Sequence, residues 1–229
     1  MLGFQRPKSL SEEVTMRLRT EIVDGHLQLG EALSESMVAA RYGVSRTPVR
    51  EAFAFLGLEG LVHTAPQQGT YVFTITREQF NQLSETRSIL ECAAFRLAIE
   101  RNRKSLVRKW RRLVKSMQAA MERGDGATYC QLDGEFHHQL FAMADNPHLL
   151  EATQSFATKI ATVRNRLGSN PEHMKHSFSE HEELLRLLED DKVNSAVELL
   201  DHHIRFKGKT FWAAANGRIS GLAEQSSET

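Results

Sequence analysis

Gly43-Val44-Ser45-Arg46-Thr47-Pro48-Val49-Arg50-Glu51-Ala52 is the stretch that decides the fold. Tyr42-Gly43-Val44 reads as a tight turn and Ser45 as the N-cap of a helix that runs to about Leu58 and is closed by Gly60. Pro48 falls early in that helix, where its missing N–H costs little. Val49, Ala52, Phe53 and Leu56 form an apolar, core-facing stripe, while Arg46 and Arg50, four residues apart, share the opposite face. A helix start that aims a hydroxyl, free N–H groups and two guanidiniums outward suits a phosphate, or the acceptor edge of guanine. A solvated helix with incidental arginines is the plain alternative, and the flanking segments weigh against it.

Upstream, Leu10, Val14, Leu18 and Ile22 make a helical stripe between Ser9 and Asp24, stopped by Gly25. A short helix follows over about Ser34 to Arg41, with Arg41 at its end as a candidate phosphate contact. Downstream, Leu61-Val62-His63-Thr64, the turn residues Ala65-Pro66-Gln67-Gln68-Gly69 and then Thr70-Tyr71-Val72-Phe73 predict a hairpin. Three helices and a hairpin outline a winged helix-turn-helix, expected over residues 1–76. Residues 1–75 hold 7 Lys plus Arg against 8 Asp plus Glu, and the whole chain holds 29 of each. A DNA face must therefore come from arrangement rather than from excess charge.

These residues carry a resemblance. The opening stretch, with Glu59-Gly60-Leu61-Val62 and Gly69-Thr70-Tyr71-Val72, resembles the GntR family of bacterial regulators over about residues 9–74. The resemblance implies DNA contacts from Ser45, Arg46, Thr47, Arg50 and the wing glycine Gly69. It departs at one place: relatives with a fatty-acid-responsive helical domain can have an arginine near the start of the preceding helix, where this chain has Ser36.

From Glu78 onward helical periodicity takes over, with no alternating strand pattern. Six or seven helices are expected, with rough spans 77–102, 104–123, 126–144, 147–168, 175–190 and 192–214. Gly124-Asp125-Gly126, Asp145-Asn146-Pro147, Gly168-Ser169-Asn170-Pro171 and Asp190-Asp191 punctuate them. The fold class is mainly α: a winged helix-turn-helix, then an all-α bundle over residues 77–229.

Helix phase sorts the histidines of the bundle. Asp133 and His137 are i, i+4, and His137 shares its face with Leu140, Phe141 and Ala144. His181 lies with Leu184, Leu185 and Leu188, and His203 with Ala196, Leu199 and Leu200. Their neighbours His138 and His202 point to the wet side. One inward histidine is ordinarily a satisfied core residue. Three with an aspartate each need partners. One divalent metal would satisfy all four, zinc first, with nickel, manganese or iron as alternatives.

Arg164 lies in an apolar stripe with Ala157, Ile160, Ala161 and Leu167, so it needs an anionic partner such as a ligand carboxylate. Arg87 sits one turn from Glu91 and fits either an effector contact or an ordinary i, i+4 salt bridge. The basic run Arg101, Arg103, Lys104, Arg108, Lys109, Arg111 and Arg112 reads as a solvated helix face. Trp110 and Trp212 read as packing residues.

A second resemblance rests on the same region. Asp133-Gly134-Glu135-Phe136-His137, Asn146-Pro147 nine residues on, and His181 and His203, 22 apart, are similar to the FCD ligand-binding domain of the FadR subfamily over about 79–205. Arg87 and Glu91 agree in spacing. The resemblance implies that the aspartate and the three histidines hold one metal beside a pocket for a carboxylate-bearing effector, often a sugar acid or another organic acid.

The remaining composition sets limits. Hydrophobic residues make up 41% and charged residues 25%, which excludes a disordered chain. Cys92 and Cys130 are too few for a disulfide scaffold and fit a reducing compartment. Met1 to Leu10 has no signal-like apolar run, and no stretch of ~18 apolar residues exists, so no membrane partner and a cytoplasmic location are expected. A metal-dependent hydrolase built on the three histidines and the aspartate is the competing class. It lacks an HExxH motif, and Glu135 and Glu182 are rotated off the metal face. An architectural DNA-binding protein would leave the buried histidines without purpose. The expectation is a ligand-responsive, homodimeric regulator, not an enzyme, acting on pseudo-palindromic double-stranded operator DNA.

Overall fold

The computed structural model describes residues 9–168 and 170–215, with side chains described as far as Arg205. The Trp212 side chain and Ser169 lie outside the described residues. The fold contains two compact units that meet in sequence between Thr74 and Ile75.

In the first unit, α1 (Leu10–Asp24) is opened by a capping box: the Ser9 N–H donates to Glu12 Oε2 at 2.7 Å, and the Glu12 N–H donates to Ser9 Oγ at 3.2 Å. Gly25, at φ 83°, ends it in the left-handed conformation that glycine adopts without penalty. Val14, Leu18 and Ile22 are buried and pack on α3 (Arg46–Leu58), whose Val49, Ala52, Phe53 and Leu56 face inward. α2 (Glu35–Tyr42) lies between them in sequence, capped by Ser34 and turned by Gly43.

The hairpin forms as β2 (Val62–Ala65) and β3 (Gly69–Val72), paired antiparallel with Thr64 opposite Thr70. A third strand, β1 (Ala32–Leu33), pairs with β3 on its other edge, giving the order β1-β3-β2. At two residues, β1 is too short to show a strand period in the sequence. What makes it a strand is tertiary: the Gly30 N–H donates to the Val72 carbonyl at 3.2 Å and the Val72 N–H to the Glu31 carbonyl at 2.9 Å.

The second unit is all helix among its described residues. α4 (Arg77–Glu122) breaks at Asn102, whose φ of −140° and ψ of 28° are not helical, so it is two helices end to end, as the expected spans have it. α5 (Gly126–Ala144), α6 (Pro147–Leu167), α7 (Pro171–Glu189) and α8 (Val193–Ala215) follow. α5, α7 and α8 all pack against α4. Trp110 is a packing residue: fully buried, it stacks on Phe136 with centroids 4.0 Å apart and donates its indole N–H to the Phe136 carbonyl. No helix among the described residues is long and apolar enough to cross a membrane.

The basic run is more than a solvated face. Arg101 donates to the Ala144 and Asp145 carbonyls, Asn102 to the Met143 carbonyl at 3.0 Å, and Arg103 to the Leu188 carbonyl at 2.7 Å. Arg111 pairs with Glu189 at 2.6 Å. The ends of α5 and α7 thereby gain donors for carbonyls that have no intrahelical partner.

Candidate metal centre, effector cavity and DNA-binding surface

Helix phase brings the four inward residues together as expected. Asp133 and His137 come from consecutive turns of α5, His181 from α7 and His203 from α8, and none is more than 3% exposed. One ligand-type atom from each lies within 4.8 Å of all the others. His181 Nε2 is 3.4 Å from Asp133 Oδ1.

The pairing of the imidazoles decides what the cluster can hold. His137 Nδ1 lies 2.6 Å from Glu91 Oε2, and His203 Nδ1 lies 2.7 Å from Glu180 Oε2. An ionised carboxylate only accepts, so each Nδ1 carries the proton and each Nε2 presents a lone pair. Those two Nε2 atoms face each other at 3.3 Å. Two lone pairs cannot hydrogen-bond to one another, so the arrangement calls for a cation between them.

A proton on His137 is disfavoured. Burial drives the His137 pKa down to about 4, against the opposing pull of Glu91. Glu91 stays ionised: burial would raise its pKa, but Arg87, then His137, hold it down at about 2. Two imidazole nitrogens on one tetrahedral zinc would stand about 3.3 Å apart. The donor set therefore fits a divalent metal, with Glu91 and Glu180 as the outer carboxylates that fix the ring tautomers.

The two arginines of the effector reading both lie in this region, and both have protein partners. Arg87 Nε bonds Glu91 Oε1 at 2.5 Å, so the i, i+4 salt bridge is present. Arg164 pairs with Asp133, so the anionic partner required by its apolar stripe is, in this structure, a protein carboxylate. Burial lowers the Arg164 pKa and Asp133 opposes that. Gly134 gives the guanidinium room: a Cβ there would stand 3.1 Å from Arg164 Nη1.

Two cavities flank the pair, and Arg87, Ile160 and Arg164 line both. The first adds Tyr129, Asp133, His173 and Ser177; the second adds His137, His138, Phe141 and Phe156.

His138 and His202 are exposed, in keeping with their helix phase, but His138 also lines the second cavity and His202 Nδ1 lies 3.5 Å from Glu180 Oε1. Neither is remote from the site. A fourth histidine of the bundle, His173 on α7, is also buried. Glu180 precedes His181 and is rotated ~100° from it; its own helix offers it His176 at 3.5 Å, and the approach of α8 adds His202 and His203. Glu135 and Glu182 are exposed.

On the first unit, Ser45, Arg46, Thr47 and Arg50 are exposed at the start of α3, and Gly69 is exposed in the wing at φ 117°. Ser45 occupies the N-cap position, but its hydroxyl makes no capping hydrogen bond. Arg50 and Arg41 are ion-paired, to Glu35 at 2.9 Å and to Glu21 at 3.1 Å. Neither carboxylate could be assigned to its arginine from sequence, since the partners lie on different helices.

Comparison with known proteins agrees with both halves. Residues 10–72 match the model of bacterial regulatory proteins of the gntR family, and residues 82–206, more than half of the chain, match the FCD domain. The chain is similar to the HTH-type transcriptional repressor RspR of Escherichia coli (strain K12), 26% identical over 86% of each chain. It is 29% identical, over 80% of each chain, to a probable D-xylose utilization operon transcriptional repressor of Paenarthrobacter nicotinovorans. It is 26% identical to the gluconate operon transcriptional repressor of Bacillus subtilis (strain 168), over 76% of this chain and 73% of that one. In fold it is similar to E. coli McbR/YncC, with a TM-score of 0.74 at 22% identity over 90% of this chain and 99% of that chain. The chain belongs to the GntR family of bacterial transcriptional regulators and carries an FCD domain behind its DNA-binding winged helix.

Proposed function

We propose that this regulator is a homodimeric repressor whose affinity for a pseudo-palindromic operator is set by a small carboxylate metabolite, bound beside one divalent metal in the helical unit. The observation that carries the reading is the pair of Nε2 atoms facing each other at 3.3 Å, each imidazole held from behind by a glutamate.

Asp133, His137, His181 and His203 would hold the ion, zinc first, with nickel, manganese or iron as alternatives. When bound, it supplies positive charge that draws in the anion and pins three helices together. Glu91 and Glu180 orient the rings. Arg87 and Arg164 offer guanidiniums to the effector carboxylate, and Arg164 would divide its attention between that group and Asp133. The relatives named for gluconate and, as probable, D-xylose operons support a sugar-derived or similar organic acid. Such a ligand changes DNA affinity only by the difference in its affinity for the two states of the protein. Arg41, Ser45, Arg46, Thr47, Arg50 and Gly69 form the proposed DNA surface, and the expected location is cytoplasmic.

The test combines metal analysis with thermal shift. Purified protein should retain about one divalent ion per chain, and chelation should lower its melting temperature. A panel of small carboxylic acids should contain members that raise the melting temperature only when metal is present. Absence of metal after growth in zinc-, nickel-, manganese- and iron-supplemented medium, with no response to added ions, would overturn the reading. Light scattering at micromolar concentration should give a dimer.

A further inference from the structure

The two arginines on the exposed face of α3 are not equivalent. Arg50 docks side-on against Glu35, with Nε to Oε1 and Nη2 to Oε2 both at 2.9 Å. Arg46 has no ion pair to a carboxylate among the described residues. Glu35 is the first residue of α2, where the helix dipole favours a negative charge. Arg50, and more distantly Arg46, hold its carboxyl below the usual range.

A guanidinium has five N–H donors in a fixed fork. The side-on pair engages Nε–H and one Nη2–H. The end-on edge, formed by Nη1 and the other Nη2–H, is left for a partner. An edge of that width is what grips the two adjacent acceptors O6 and N7 of guanine. Arg50 is 72% exposed, and a pair so open to water contributes little to stability. Its effect is instead on direction and charge. A lone arginine on a long stem reaches for any phosphate, whereas one whose charge is cancelled has lost much of that pull.

We propose that Glu35 is a positioning residue for DNA reading: it presents the end-on edge of Arg50 to a guanine and cancels its charge, while the unpaired Arg46 supplies phosphate attraction. This rests on the reading that α3 faces DNA. The local balance of 7 basic against 8 acidic residues is consistent with a surface on which charge is cancelled where a base is to be read.

The probe is a duplex enriched by the full-length parent protein from a random library, the same duplex with each G·C pair replaced in turn by A·T, and an unrelated duplex of equal length. Arg50→Ala should lose discrimination at one G·C pair in each half-site. Glu35→Ala should keep the parent's melting temperature and lose about tenfold of its discrimination at that same pair. It should also bind the unrelated duplex more tightly, with a salt dependence steeper by about one phosphate contact. The double variant should match Arg50→Ala at that pair. Glu35→Asp, one methylene short, should fall between parent and Glu35→Ala. Uniform weakening across all duplexes in Glu35→Ala would make Glu35 merely structural and overturn the proposal, as would unchanged discrimination. If Arg50→Ala also leaves discrimination intact everywhere, the assignment of α3 as the reading helix fails instead.

Discussion

His137 and His203 meet nitrogen to nitrogen across 3.3 Å of buried space, each ring backed by its own glutamate. A cation between them would satisfy both lone pairs. The geometry therefore joins α4, α5, α7 and α8 at one point, since Glu91, His137, Glu180 and His203 each come from a different one of these helices.

The backing glutamates should be nearly as important as the ligands. Glu91→Gln and Glu180→Gln leave the four donor side chains in place but remove the acceptor-only groups that fix the tautomers. Each should weaken metal binding by about 10–100-fold. Competition against a chromophoric chelator measures this directly. His203→Ala should lower metal content outright, and equal metal content in His203→Ala and the parent would remove His203 from the site.

Metal-free protein should lose stability as the pH falls from about 6.5 to about 4. Burial depresses the His137 pKa to about 4 in the folded chain, against about 6.5 when unfolded. Between those values the unfolded chain binds the extra proton, so stability rises with pH across the window and is lost on acidification. The full effect is about 3 kcal/mol. Urea unfolding of chelator-treated protein at pH 7, 5.5 and 4 measures it, and His137→Gln should flatten the dependence.

Arg46→Ala should weaken binding evenly across sequences and lower the salt slope by about one contact; a loss of about 1–3 kcal/mol confined to one base pair would place Arg46 on a base edge instead. Binding that matches the parent at equal salt would take Arg46 out of the DNA surface.

Gly168→Ala should destabilise the helical unit by about 1–3 kcal/mol through overpacking. A Cβ at this position would stand 1.9 Å from Cys130 Sγ, so the short Cys130 side chain must move. Adding Cys130→Ala should recover most of the loss, and additive effects in the double variant would rule out the contact as the cause.

Much of this was legible in the sequence for physical reasons. The stripe Val49, Ala52, Phe53, Leu56 has the helical period and is buried as that period requires. Asp133, His137, His181 and His203 are legible because inward phase is a property of each helix alone. The partners that give those residues their chemistry were not legible. Glu180 to His203, Arg164 to Asp133 and Arg50 to Glu35 each join two helices, and no local period records which faces will meet. The strand β1 escaped for the same reason, its two residues being ordered by β3 and not by themselves.

The break in α4 has a mechanical consequence. Arg101, Asn102 and Arg103 are consecutive, and between them they hold carbonyls of Met143, Ala144 and Asp145 on one side and Leu188 on the other. The helices so gripped at their tails are the two that carry Asp133, His137 and His181. Three adjacent residues thus act as a jig: they set the axial position of both helices at a point about two to three turns beyond the ligands. A sideways slip of the α5 tail would shift His137 against His203 across their 3.3 Å gap, and a slip of the α7 tail would shift His181 against Asp133. The accuracy of the centre is fastened at a place that touches none of its donor atoms.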